Sequence, residues 1–123
     1  SVARTLPALI RAEKVMKKAE KVGFEWASVD DALDKVQEEL DEVRRAEQGD
    51  GDFPEEIGDL LFAAVKVAKF AKTDPEEALN HTTEKFIHRF SHVEAGAAAQ
   101  GKQVGDLTLN EMLALWEESK KDE

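Results

Sequence analysis

Apolar side chains recur every three or four residues along most of the chain, which is the spacing of one face of an α-helix. The clearest stripe lies between residues 28 and 47 and consists of Val29, Leu33, Val36, Leu40 and Val43. This stripe predicts a second helix from about Ser28 to Glu47 with its apolar face buried in a core. A weaker pattern over residues 3–21 predicts a first helix, which Gly23 ends. We find no segment with the two-residue alternation of a half-buried strand.

Helix-start signals mark the rest of the chain. A polar loop at 48–52 precedes a third helix that continues to about Lys72, a fourth helix ends before Gly101, and a last short helix follows a loop at 101–106. The start signals of these three helices are Asp52 with Pro54, Asp74 with Pro75 and Glu77, and Thr108 with Glu111. We therefore expect an all-α fold of four long helices plus a short C-terminal helix, in a single domain over residues 1–123.

Several apolar residues are expected in the core. The connector at 22–28 carries Phe24 and Trp26, two aromatic residues of a type that is usually buried. The run at 60–65 (LLFAAV) is apolar on every side, which predicts burial on more than one face. One face of the fourth helix carries Leu79, Phe86, Phe90, Val93 and Ala97.

Charge and composition exclude several classes of function. The chain has 123 residues, a formal net charge of −10 and no cysteine. This acidity does not suit a nucleic-acid duplex or an anionic membrane surface, and thiolate chemistry is excluded. No apolar run is long enough to span a membrane, so we expect a cytoplasmic protein with neither kind of partner. The sequence begins with Ser1 rather than Met, so we expect a processed or excised piece of something longer, such as one half of a longer chain.

Two pairs of acidic residues could form a metal site. Glu39 and Glu42 lie one turn apart on the flank of the apolar stripe, and Glu56 and Asp59 lie near the head of the third helix with no lysine four residues further on. Uncompensated carboxylates beside a core are costly unless a cation or hydrogen bonds satisfy them. An oxygen-only set of ligands suits Mg²⁺. The alternative is an acidic surface whose charges pair with nearby basic residues, namely Lys35, Arg44 and Arg45.

The fourth helix adds cations. Lys85 and Arg89 lie four residues apart in EKFIHRF (84–90) and could hold the phosphate oxygens of a metal–polyphosphate complex. Alternatively, they only pair with acids of the second helix. His88 and His92 also have the spacing of a transition-metal pair, but no motif acid accompanies them.

Three segments together resemble the MazG family of nucleoside triphosphate pyrophosphohydrolases. They are KVQEELDEVRRA (35–46), EEIGDLLFAAV (55–65) and EKFIHRF (84–90). The four acids match the family's signature, with Glu39-x-x-Glu42 followed after thirteen residues by Glu56-x-x-Asp59. KVGFEW (21–26) and LWEE (115–118) are similar to the second, catalytic half of full-length MazG proteins, and the likeness extends from about Leu9 to Lys120.

The resemblance implies a helical bundle that forms a homodimer or a higher homo-oligomer and hydrolyses a nucleoside triphosphate to the monophosphate and pyrophosphate. It implies Mg²⁺, with Mn²⁺ as a second option, bound by Glu39, Glu42, Glu56 and Asp59. Lys85 and Arg89 would contact phosphates, and Glu38 would act as a base or support the metal ligands. Trp26 and Trp116 would stack on the base or, alternatively, serve as core or interface aromatics. The departures from the family pattern are Lys66 and Thr83 in place of Asn and His88 in place of Arg, which concern substrate contacts.

Two other functions remain open at this point. One is a narrower dUTP or dCTP pyrophosphatase of the same fold, although the flanking segments favour broad specificity that cleans the nucleotide pool. The other is a non-catalytic acidic module that binds a partner through its helices. Metal binding by the four acids separates this module from the enzymes.

Overall fold

The computed structural model describes residues 2–123, apart from the side chain of Asp122, so the expectation attached to Ser1 lies outside the described residues. This part of the chain is all-helical and contains no strand, which confirms the predicted fold class. None of its helices has both the length and the apolar character needed to cross a membrane. The α-helices are α1 (Ala8–Glu20), α2 (Val29–Glu47), α3 (Phe53–Phe70), α4 (Pro75–Ala99) and α5 (Leu109–Ser119). Two short 3₁₀ helices cover Val104–Asp106 and Lys120–Asp122.

Side-chain caps start four of these helices where the sequence predicts them. Ser28 accepts a hydrogen bond from the backbone N–H of Asp31, and Asp52 accepts one from Glu55, each at 3.2 Å. The carboxylate of Asp74 accepts from the N–H groups of Glu76 and Glu77, at 2.9 and 3.2 Å. At α5 the capping box is complete, because Thr108 and Glu111 each accept from the other's backbone N–H, at 3.1 and 2.8 Å. Each cap satisfies N–H groups that have no partner inside the helix.

Two helix ends differ from the prediction. Helix α1 begins at Ala8 rather than at residue 3, because Pro7 is its N-cap with an extended ψ of 146°, and a proline disfavours helical backbone in the residue before it. Helix α3 ends at Phe70, two residues early, and Lys72 then adopts a positive φ of 54°. This left-handed backbone cannot continue a right-handed helix.

The chain forms two compact units, one that extends to Ala78 and one from Leu79 to Glu123. In the first unit α2 and α3 pack together as a helical hairpin across the loop at 48–52, and α1 packs on α3. An ion pair between Glu20 and Lys69 joins α1 to α3. The buried apolar residues of this unit are Met16, Ala32, Ala46, Ala63 and Val65.

The second unit packs α5 close to the later part of α4. Val93, Ala97 and Leu107 are its buried apolar residues. Gly96 permits this close approach, since a Cβ added there would lie only 2.5 Å from Cδ2 of Leu115. The contact therefore needs the smallest side chain at this position.

The predicted core faces are partly wrong. On α2 the buried residues are Ala32, Glu39 and Ala46, whereas Leu33 is 48% exposed. The buried face is thus turned by roughly 80° from the centre of the apolar stripe, at 100° per residue. The two alanines on this face have small side chains, which let α2 approach its neighbour closely. This face is therefore buried in preference to the face that carries the larger stripe residues.

Other large apolar residues predicted as core also have exposed side chains. They are Phe24, Trp26, Leu61, Phe62, Leu79 and Phe86. The run at 60–65 is therefore buried chiefly through Ala63 and Val65 rather than on several faces. Periodicity identifies which residues share a face, but burial depends on the element that covers this face.

Candidate active site

Three acidic residues from α2 and α3 converge in the first unit. Glu39, Glu56 and Asp59 each offer a carboxylate oxygen, and these oxygens lie within 4.8 Å of one another. Glu39 is buried, Glu56 is half-buried and Asp59 is exposed, so the group opens from the helical contact towards solvent. The structure therefore brings together three of the four acids that the sequence predicted as metal ligands.

The fourth predicted ligand, Glu42, is engaged elsewhere. Its Oε1 accepts a hydrogen bond from the guanidinium of Arg45, one turn further along α2, and this bond raises the pKa of Arg45. Glu38 is exposed, and one of its carboxylate oxygens lies 3.6 Å from Nζ of Lys35. The alternative of pairing with neighbouring cations thus applies to these two acids.

The three converging carboxylates repel one another. Desolvation is the first cause that raises the pKa of Glu56, followed by the negative charges of Asp59, Glu42 and Glu39. Lys35 offsets part of this charge, because its Nζ lies 3.0 Å from Oε1 of Glu39, a contact that raises the pKa of Lys35. Within residues 2–123 no ion pair compensates Glu56 or Asp59.

The donor set fits a hard divalent cation. It contains carboxylate oxygens alone, carries an excess of negative charge and is open on one side, which leaves room for water or phosphate oxygens around Mg²⁺. The histidine alternative gains no support from the described chain, where His92 instead lies 3.5 Å from the carboxylate of Glu118.

A cavity of about 300 Å³ adjoins the acids. Glu39 and Asp59 line one part of it, and Trp26 lines another. The remaining lining residues are Phe24, Lys35, Phe62, Ala63 and Lys66. Carboxylates beside an aromatic wall offer a nucleotide both a place for its metal–phosphate group and a surface for its base.

The sequence analysis assigned Trp26 to base stacking as one alternative, and it named Lys66 only as a departure from the family pattern and Lys35 only as a charge partner of the acids. It gave no place in the site to the other three lining residues, which are Phe24, Phe62 and Ala63. Lys66 had a detectable signal, because it follows the apolar run at 60–65 and lies seven residues after Asp59, on the same helical face. No local pattern connects the connector aromatics to that face.

The second unit holds the predicted phosphate-binding cations. Lys85 is exposed, whereas the guanidinium of Arg89 donates two hydrogen bonds to the carboxylate of Glu123, at 2.7 and 2.6 Å. These bonds raise the pKa of Arg89 and lower that of Glu123. Trp116 lies beside them, with its ring 5.7 Å from the guanidinium carbon. A two-pronged contact with a carboxylate is also the geometry by which arginine holds phosphate.

Comparisons with known proteins agree with the resemblance to the MazG family. The MazG nucleotide pyrophosphohydrolase domain matches residues 28–94, which include all four predicted acids together with Lys85 and Arg89. The chain is 41% identical over 126 residues to the nucleoside triphosphate pyrophosphohydrolase of Escherichia coli (strain K12), covering 99% of this chain and 48% of that protein. It is 35% identical over 115 residues to the nucleoside triphosphate pyrophosphohydrolase/pyrophosphatase MazG of Thermotoga maritima, covering 94% of this chain and 45% of that protein.

A third relative matches a shorter region. The uncharacterized protein YabN of Bacillus subtilis is 48% identical over 68 residues, which are 55% of this chain and 14% of that protein. The chain spans about half the length of the two enzymes that it matches over nearly all of its residues. On the domain match and the geometry of the converging acids, the chain belongs to the MazG nucleotide pyrophosphohydrolase domain family.

Proposed function

We propose that this chain is a Mg²⁺-dependent pyrophosphohydrolase that converts nucleoside and deoxynucleoside triphosphates to monophosphates and pyrophosphate. The observation that carries the proposal is the convergence of Glu39, Glu56 and Asp59 beside a cavity with an aromatic wall. Family membership supports the same reaction, since two relatives carry this activity in their names. A substrate from the nucleotide pool also favours a cytoplasmic location.

The three carboxylates, joined by Glu42 after it leaves Arg45, would hold the metal ion. Bound there, Mg²⁺ would neutralise the triphosphate and stabilise the charge that develops on its oxygens. Mn²⁺ takes the same hard oxygen ligands and is the alternative ion.

The other proposed roles belong to the chain's own side chains. Lys85 and Arg89 would hold phosphate oxygens, and Glu38 would orient the attacking water or accept its proton, for which its exposed carboxylate is accessible. Attack at the α-phosphorus releases pyrophosphate and leaves the monophosphate. Trp26 would stack on the base in the cavity, and Trp116 is the second candidate for stacking, beside Arg89.

We also propose that the chain assembles as a homodimer or a higher homo-oligomer. Val29, Leu33 and Leu40 of the apolar stripe on α2 are exposed. Exposed apolar surface at regular helical spacing is typical of an interface. Light scattering on the purified chain measures this directly, and a monomer at micromolar concentration would contradict it.

Product analysis tests the reaction. The chain is incubated with all common triphosphates, with Mg²⁺ or with EDTA, and the nucleotides are separated by chromatography. We expect metal-dependent monophosphate and pyrophosphate, with several triphosphates consumed. Consumption of dUTP or dCTP alone would instead indicate the narrower enzyme, and diphosphate with orthophosphate would show that a different bond is cleaved.

Matched variants test the acids. Glu39→Gln and Asp59→Asn should abolish turnover and retain normal helicity. Glu47→Gln, at the exposed end of the same α2, makes the same charge change away from the group and should leave turnover unaltered. Full activity in the first two variants would remove these carboxylates from the mechanism. No turnover in the wild type, with the fold intact, would favour a non-catalytic module.

A further inference from the structure

The cavity contains two lysines, Lys35 and Lys66, to which the proposed reaction gives no role. Lys66 is buried, with only 8% of the residue's surface exposed, and it lines the cavity together with Glu39 and Asp59. Long charged side chains are seldom this buried without a partner of opposite charge. Lys66 therefore calls for a functional explanation.

The two lysines of the cavity differ in their partners. Lys35 forms an ion pair with Glu39 at 3.0 Å. Lys66 forms neither an ion pair nor a hydrogen bond with any residue in the described part of the chain. Its ammonium instead makes a cation–π contact with the ring of Trp26, with Nζ 5.5 Å from the ring centroid. A cation–π contact offers the ammonium no oxygen acceptor, so its three N–H donors remain available to a ligand.

The position of Lys66 along α3 selects the part of the ligand that it can reach. Lys66 and Asp59 lie on the same helical face, separated by about 10 Å along the axis. Lys66 forms no ion pair with Glu39 or Asp59, although all three residues line the cavity, and its ammonium contacts the ring of Trp26 instead. The ammonium lies over the ring of Trp26, so a base that stacks on this ring would displace the ammonium to the edge of the base.

We propose that Lys66 is a specificity-determining residue that donates a hydrogen bond to a carbonyl oxygen on the edge of the base. This inference rests on the proposed function and deepens it. A lysine ammonium has donors and no acceptor, so it favours bases with an oxygen at that edge, such as hypoxanthine and guanine, over adenine, which has an amino group there. The preferred substrates are accordingly oxo-purine and other carbonyl-bearing nucleotides.

ITP and ATP are the matched probes, because their bases differ at the six-position, where one has an oxygen and the other an amino group. In the wild type we expect a higher kcat/KM for ITP than for ATP. Lys66→Met keeps an unbranched apolar stem and removes the ammonium. It should lower kcat/KM for ITP about tenfold, the loss of one hydrogen bond to a charged group, and leave that for ATP within about twofold.

Lys72→Met is the matched control, since Lys72 is an exposed lysine just past the end of the same helix and should leave both values unchanged. An equal loss for ITP and ATP in Lys66→Met would assign the ammonium to phosphate or to packing and overturn the proposal. The proposal would also be overturned if the ratio of kcat/KM for ITP to kcat/KM for ATP were the same in Lys66→Met as in the wild type.

Binding separates this inference from the proposed reaction. Calorimetry with ITP and ATP in the presence of Mg²⁺ measures the same preference whether or not hydrolysis occurs. Preferential ITP binding that Lys66→Met removes would support the role of Lys66 even if the products were not monophosphate and pyrophosphate. Equal binding of ITP and ATP by the wild type, or binding of neither, would overturn it.

Discussion

Two helical glycines allow a sharp test of the packing that positions Trp116 and Arg89. Around Gly58 in α3, an added Cβ would meet no heavy atom within 4 Å, whereas at Gly96 in α4 it would lie 2.5 and 2.8 Å from the two methyl carbons of Leu115. The same substitution to alanine should therefore have opposite effects at the two positions.

The magnitudes follow from two opposing contributions. Alanine is favoured over glycine in a helix interior by about 1 kcal/mol, which is the whole expected gain in the free energy of unfolding for Gly58→Ala. At Gly96 the same gain is offset by overpacking against Leu115, which costs about 1–3 kcal/mol. We expect Gly96→Ala to be about 1 kcal/mol less stable than the wild type.

Urea unfolding followed by circular dichroism at 222 nm measures both variants. Leu115→Ala supplies the second arm of the test, because it removes the methyl carbons that obstruct the new Cβ. In that background Gly96→Ala should stabilise by about 1 kcal/mol, which gives a coupling energy of about 2 kcal/mol between the two positions. A gain from Gly96→Ala in the wild-type background would refute the reasoning, since Leu115 would then move aside at no cost.

Three further predictions concern charged residues. In EDTA, Glu56→Gln should raise the melting temperature, because the raised pKa of Glu56 means that its charged form costs stability, and it should remove the stabilisation that we expect from bound Mg²⁺. This gain should grow as pH rises through that pKa, and calorimetric scans with and without EDTA measure it. Thr108→Ala should cost about 1 kcal/mol of unfolding free energy at neutral pH. Because the capping box lowers the pKa of Glu111 below its ordinary 4.5, this cost should shrink as pH falls below that value; urea titrations at pH 7 and pH 3 compare the two, and an undiminished cost at pH 3 would be contrary evidence. Glu123→Gln should lower KM for nucleotide several-fold with kcat little changed, since it releases the guanidinium of Arg89; steady-state kinetics measure it, and an unchanged KM would count against a phosphate role for Arg89.

Local signals explain most of what the sequence predicted correctly. Ser28, Asp52, Asp74 and Thr108 start helices through hydrogen bonds that reach only two or three residues along the chain, so the starts can be read from short segments. The convergence of Glu39 with Glu56 and Asp59 was accessible as well, because a short loop forces α2 and α3 to be neighbours.

The missed features depend on contacts distant in sequence or on a choice among partners. Periodicity placed Glu42 on the same flank as Glu39, but Arg45 competes for its carboxylate at a spacing of one turn. The place of Lys66 depends on Trp26, forty residues earlier, and no local rule connects them. The apolar stripe of α2 was identified correctly as a stripe, yet the side chains that α2 buries are Ala32, Glu39 and Ala46.

These three buried positions of α2 have a consequence for ion selectivity. Side-chain size at a helical contact sets the distance between two helix axes, and alanines set it near the short end of the usual range. Glu39 lies midway between Ala32 and Ala46, so the gap between its carboxylate and those on α3 is determined by methyl groups that touch no ligand. In the proposed Mg²⁺ site, larger side chains at the two alanines should widen this gap and favour a larger cation such as Ca²⁺, whose longer bonds to oxygen tolerate more widely separated ligands. We therefore expect the ion selectivity of the proposed site to depend partly on the size of these two buried alanines.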